Sequence, residues 1–370
     1  MFKSVSAPLQ IAKGEAVLVP VIAAGLLPFL LEAEILRYGS VAALMVAVLL
    51  IAAIVAVSVR VAHHAEVLAA KVGDPYGTMI LTLSAVLVEV VILLILMSEA
   101  NSPTLARDTI FSAVMLDING ILGLAALLGG WKFGEQPYND DSGKTYGAMI
   151  MTAMGISMVV PEFVPEAQWH AYSIFTILAM AMLYWVFLRN QIGAHSYFFN
   201  YSYPEKKRAG NKKLADEPFL PSLIFLIIEI VLVGLLAEVM SRFMSVGLQA
   251  ISAPLGIAAL IVATMSAAPE MLTALRAALA NRMQVVINIA LGASLSTVIL
   301  TVPVIETAAL IRGQPIIMAM TPVQTVLAAI TLIVAAVNLN DGETNAIEGM
   351  THFVLFGTFL VLMLLGIASG

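Results

Sequence analysis

Two glutamates stand where carboxylates are expensive. Glu89 lies near the middle of the run from Gly77 to Met97, in which it is the only ionisable group. Glu270 follows the apolar stretch from Leu255 to Ala268, directly after Pro269. A charged side chain at the centre of a bilayer costs roughly 2.5–3.5 kcal/mol on insertion scales, so such residues usually serve a cation or a proton. Hard cations are bound by oxygen. Burial disfavours the ionised carboxylate and a bound cation restores it, so proton and cation compete for the same oxygens. That competition is the chemistry of exchange. The plain alternative is a glutamate that stays protonated and hydrogen-bonds between helices, which suits one isolated residue better than two in matched positions.

Further oxygens lie near both. Ser84 and Ser266 precede the glutamates by five and four residues, where they would either add neutral ligands or let helices pack closely. A later run, NRMQVVINIALGASLSTVILTVPV, puts Asn288, Ser294, Ser296 and Thr297 inside an apolar helix, and Asp117, Asn119 and Gly120 occupy the corresponding place earlier. Asp117 is either a third buried carboxylate or a residue of the membrane edge. Glu229 and Glu238 are nine apart and do not share a helix face closely. Glu238 is either solvated or at the mouth of an access path. His63-His64-Ala65-Glu66 reads as a solvated helix end, with proton access through Glu66 as the functional alternative. Adjacent histidines point in different directions, so the pair is a poor chelate. With no cysteine, disulfides and thiolate sites are excluded. No phosphate loop, nucleophile elbow, HExxH or base-reading module is present.

The elements that must position these groups are membrane helices. Only 11% of the 370 residues are charged and 61% are hydrophobic, whereas soluble domains carry about 25% charge. The expected fold is an all-α polytopic membrane protein. About eleven spans are expected, near 15–33, 39–59, 76–98, 109–131, 146–163, 170–189, 220–241, 251–281, 283–304, 314–338 and 346–367. The eighth is too long for one straight crossing, and Pro269 is expected to break it into half-helices. No cleavable signal peptide is expected at the N-terminus. With that terminus cytoplasmic, inside segments hold 14 of the Lys and Arg residues and outside loops 4, which leaves the C-terminus outside. The polar stretch 191–219 separates a first set of five spans (39–190) from a second (220–370), with residues 1–38 supplying an extra helix. An odd number per set makes the second set enter with opposite orientation, an inverted repeat whose substrate site is expected near mid-membrane.

At these residues the chain resembles the cation/proton exchanger family of the calcium:cation antiporter superfamily, above all its bacterial calcium (or sodium/potassium):proton antiporters. AEVLAAKVGDPYGTMILTLSAVLVE aligns Glu66, Gly73, Gly77 and Glu89 with the first repeat of the family, and SAAPEMLTALRAALANRMQVVINIALGASLS aligns Glu270, Asn281, Gly292, Ser294 and Ser296 with the second. TNAIEG (Asn345, Glu348, Gly349) with THFVLF resembles the start of its last helix, and AHSYFF its counterpart in the first half. The resemblance implies a cation site built from Glu89 and Glu270, export of cytoplasmic cations against external protons, and the bacterial inner membrane. Many relatives carry Asn three residues before each glutamate, and His after the second. Here these positions are Val86, Ala267 and Met271. Fewer ligand oxygens leave Na⁺ and K⁺ beside Ca²⁺ as the cation.

The expectation is thus a secondary antiporter moving Ca²⁺, Na⁺ or K⁺ against H⁺, with Glu89, Glu270, Ser84, Ser266, Ser294, Ser296 and Asn119 at the site. Glu66, Glu238 and Asp117 are the access-path candidates. No resident cofactor, nucleic acid or protein partner is expected beyond lipids and the transported ions. A passive channel would need a continuous polar pore. A lipid enzyme with paired carboxylates would need histidines and basic clusters beside them.

Overall fold

In lipid, each peptide N–H and C=O must be paired within its own segment, so long apolar runs of this kind fold as helices. The computed structural model describes residues 15–73, 76–100, 102–192, 217–254, 256–313 and 316–369. Lys3, Lys13, AHSYFF and most of the basic linker lie outside the described residues. A turn at Glu15–Val17 leads into α1 (Leu18–Leu30), followed by α2 (Glu32–Arg37), α3 (Ser40–Val72) and α4 (Tyr76–Ala100). Next come α5 (Leu105–Phe133), α6 (Asp140–Phe163) and α7 (Trp169–Ile192). The second half supplies α8 (Phe219–Ala250), α9 (Gly256–Ala278), α10 (Met283–Arg312), α11 (Pro322–Asn338) and α12 (Ala346–Leu364). Among the described residues nine helices are long and apolar enough to span a bilayer, and Glu15–Leu30 and Pro322–Asn338 are shorter apolar helices. The chain is an all-α polytopic membrane protein.

Three expectations are corrected. α3 runs 33 residues and α8 32, about 50 Å each, well past the predicted ends at 59 and 241. Their extensions carry polar residues, which removes the hydropathy signal without removing the helix. Pro269 does not divide α9, which is one 23-residue helix with the proline inside. The proline nitrogen removes one backbone donor, and the helix continues through it. His63 and His64 are not a solvated helix end, since α3 continues to Val72 and His64 is fully buried.

The helices gather into two compact units. In the first, residues up to 101 and 205–253, α3 packs along α8, α4 lies against both, and α1 flanks α3. The second, residues 102–204 and 254–370, is built around α5. Every residue from Leu105 to Leu122 is buried, because α9, α10 and α12 all pack on it. Close approach of α12 depends on two glycines. A Cβ at Gly123 would come within 2.8 Å of His352 Cβ and 2.9 Å of Phe353 N, and one at Gly349 would collide with the Leu127 backbone.

Polar ties fix both ends of this second unit. At one end the buried Arg107 guanidinium binds Asp108 (2.8 Å) and donates to the Ala319 carbonyl (3.0 Å), while Gln324 donates to Asp108 (2.7 Å). At the other, Gln136–Pro137 and Glu343–Thr344 form a short antiparallel pair. There Gln136 donates to the carbonyl of Ala278 (2.9 Å) and to Asn281 Oδ1 (3.0 Å). Asn345 caps α12 by accepting from the N–H groups of Ile347 and Glu348, which explains the Asn and Gly of the TNAIEG signature.

Candidate ion-binding site

The predicted site residues divide between the two units. In the first, α4 holds Glu89, whose side chain is only 4% exposed. Ser84 is buried on the same helix and its hydroxyl donates to the Ile80 carbonyl at 2.7 Å. Positions five apart are about 140° apart around an α-helix, so Ser84 does not share the face of Glu89. Glu66 is exposed on α3. Glu238 is partly exposed on α8 and accepts from Arg242 (2.8 Å), which also holds Glu32 (3.1 Å). Glu32, Glu238 and Arg242 thus form a salt-bridged triad. Glu229 is fully buried, with His64 Nε2 3.6 Å from it.

In the second unit, α9 presents Glu270, half-buried, one residue after Pro269. Ser266 donates to the Ala263 carbonyl at 3.0 Å, and Ser296 to that of Gly292 at 2.7 Å. Donation back to the helix leaves each hydroxyl oxygen able to accept or to ligate. Asp117 is a buried carboxylate, 2% exposed, and accepts from Ser294 at 3.2 Å, so α5 and α10 bring two of the predicted residues together.

Both helices depart from α geometry at this point. α5 widens to a π-helix over Met115–Leu122, which contains Asp117 and Asn119, and α10 does so over Thr297–Thr301. Such widenings are frequent at functional sites.

Asn119 is braced by residues that the sequence reading left unassigned. Its amide donates to Thr331 Oγ1 (2.7 Å), and its carbonyl oxygen lies 2.9 Å from His352 Nδ1. The oxygen can only accept, so His352 carries its proton on Nδ1. Thr331 and His352 come 212 and 233 residues after Asn119, and no local spacing announces them. His352 does lie within the THFVLF stretch, which was the available signal.

Buried carboxylates with hydroxyl and amide oxygens are suited to a hard cation or a proton, and the sequence comparisons agree with that chemistry. The model of the family described as sodium/calcium exchanger protein matches residues 40–193 and 221–365. The chain belongs to this family. The sodium-potassium/proton antiporter ChaA of Escherichia coli is 32% identical over 306 residues, covering 81% of this chain and 84% of its own. A Ca²⁺/H⁺ antiporter of Aphanothece halophytica is 22% identical over 276 residues, covering 70% and 73%. Among solved structures, the Ca²⁺/H⁺ antiporter YfkE superposes with a TM-score of 0.73 at 18% identity, covering 94% of this chain and 99% of that one. As a member of the sodium/calcium exchanger protein family, the chain is a membrane cation exchanger and not an enzyme.

Proposed function

We propose that this exchanger is a secondary antiporter that exports Ca²⁺, Na⁺ or K⁺ in return for protons, with Glu89 and Glu270 each binding cation and proton in turn. The observation that carries the reading is Glu89, a carboxylate 4% exposed on a membrane-spanning helix of a cation exchanger. An ionised carboxylate there is costly unless a cation or proton neutralises it. The two named antiporter relatives differ in their metal ion and have the proton in common, which supports H⁺ as the counter-ion. The buried Asp117–Ser294 pair supplies oxygens of the same kind.

Inverted five-helix repeats are supported by the two family-matched stretches, 40–193 and 221–365, which correspond to the two sets of five spans. The distribution of Lys and Arg supports a cytoplasmic N-terminus and an outside C-terminus in a bacterial inner membrane.

Inverted vesicles carrying an imposed ΔpH test the proposal. Adding the transported cation dissipates the gradient, and comparing Ca²⁺, Na⁺ and K⁺ side by side identifies it. Glu89→Gln and Glu270→Gln are each expected to abolish dissipation. Undiminished dissipation by both variants would remove the mechanism.

A further inference from the structure

The first unit contains a second set of buried ionisable groups that the exchange mechanism does not use. Glu15, in the turn before α1, is 7% exposed, and His64 of α3 and Glu229 of α8 are both fully buried. His64 Nε2 lies 3.1 Å from Glu15 Oε1 and 3.6 Å from Glu229 Oε1, and one ligand-type atom from each of the three lies within 4.8 Å of the others. Arg60, one turn earlier on α3, pairs with Glu15, its Nη2 3.5 Å from His64 Nε2. The ring of Phe225 stacks on His64 with centroids 5.6 Å apart. Among the described residues Nδ1 of His64 has no hydrogen-bond partner, and the Glu229 carboxylate faces that of Glu15.

The charges decide the occupant. Among the described residues, two carboxylates and one guanidinium leave one buried negative charge, and a buried charge without compensation is strongly destabilising. A divalent cation would overcompensate, and it would compete with Arg60 for Glu15 Oε1 and crowd its guanidinium. A proton balances the site and gives Glu229 an O–H to donate. We propose that Glu15, His64 and Glu229 form a proton-binding site that fastens the N-terminal turn to α3 and α8. At low pH the proton is bound, the site is neutral and the turn is held. At high pH the proton leaves, two carboxylates share one guanidinium, and the turn is released.

Among the described residues the other charged groups around it are few. His63 on α3 pairs with Glu217 before α8 at 3.3 Å. α1 carries no ionisable residue, and α4, packed on α3 and α8, brings the buried Glu89. Glu66 is exposed on α3, and α2 places Glu32, Glu34 and Arg37 beside the opposite end of α3.

Infrared titration tests the site without relying on transport. In a Glu89→Gln/Glu270→Gln background, a C=O component of a protonated carboxyl group is expected to titrate with pH and to be lost on adding Glu229→Gln, while any band from the buried Asp117 and Glu306 stays. Glu15→Gln, which also removes the surplus charge, provides the same loss if the first variant does not fold. Release of the turn is read by maleimide labelling of Leu18→Cys, since Leu18 is buried and the chain has no cysteine of its own. Its rate, normalised to an exposed Ala167→Cys, is expected to rise several-fold with pH, and Glu229→Gln is expected to flatten that rise. A carboxyl band indifferent to both glutamine variants would overturn the proposal. So would labelling unchanged by pH, or stoichiometric Zn²⁺ binding that Glu229→Gln removes.

Discussion

A buried polar side chain can brace a helix, hold a ligand or do both, and its hydrogen bonds show which atoms remain free to ligate. Asn119 donates its amide to Thr331 and accepts from His352, which braces the α5 π-segment and leaves one lone pair of its oxygen for a ligand. Asn119→Leu leaves Nδ1 of the buried His352 without its partner, at a cost of about 1–3 kcal/mol, while Thr331 keeps its contact with Met115 Sδ. A clearly lowered unfolding temperature in detergent is expected, and an unchanged one accompanied by lost transport would make Asn119 a ligand. Asp117 was legible as an acidic residue in an apolar run, but its burial was not, because hydropathy does not say which helix sits at the centre of a bundle. The Glu15–His64–Glu229 cluster was illegible for a similar reason: its members are 49 and 165 positions apart in chain order, and only tertiary packing joins them.

Helices were the most legible level, because a run of apolar residues long enough to cross lipid has no other way to pair its backbone. Their ends were less so. α3 extends to Val72 through Arg60, His63, His64 and Glu66, residues that hydropathy reads as an exit from the membrane, although helix propensity does not stop there. Pro269 was overread as a break. Packing between helices was partly visible in the glycines. Gly349→Val drives a branched side chain into the Leu127 backbone, and overpacking against backbone is expected to cost at least the ~1–3 kcal/mol seen in tight cores. Loss of monodisperse protein in size-exclusion chromatography is expected, whereas Gly147→Ala, which faces open space, should behave as wild type. Equal recovery of the two variants would refute the close approach of α12 to α5.

At the scale of the molecule, the sequence suggested halves divided at the basic linker, while compact packing follows a different division. α1–α4 with α8 form one unit, and α5–α7 with α9–α12 the other. Each unit takes helices from both expected repeats, an interleaving that no local pattern encodes because it depends on which surfaces bury each other. Charge placement is the one whole-chain property that linear order does carry. A reporter active only in the periplasm is accordingly expected to work when fused after residue 370, and one active only in the cytoplasm to work when inserted in the 191–219 linker. The reverse pattern would invert the topology.

The central claim is that one carboxylate type carries both ions. Purified protein in proteoliposomes, with cation flux and internal pH recorded together, tests it most directly. Wild type should move cation and protons in a fixed ratio, and Glu89→Gln or Glu270→Gln should lose both fluxes together. Cation flux that continues in either variant after proton flux has stopped would contradict it.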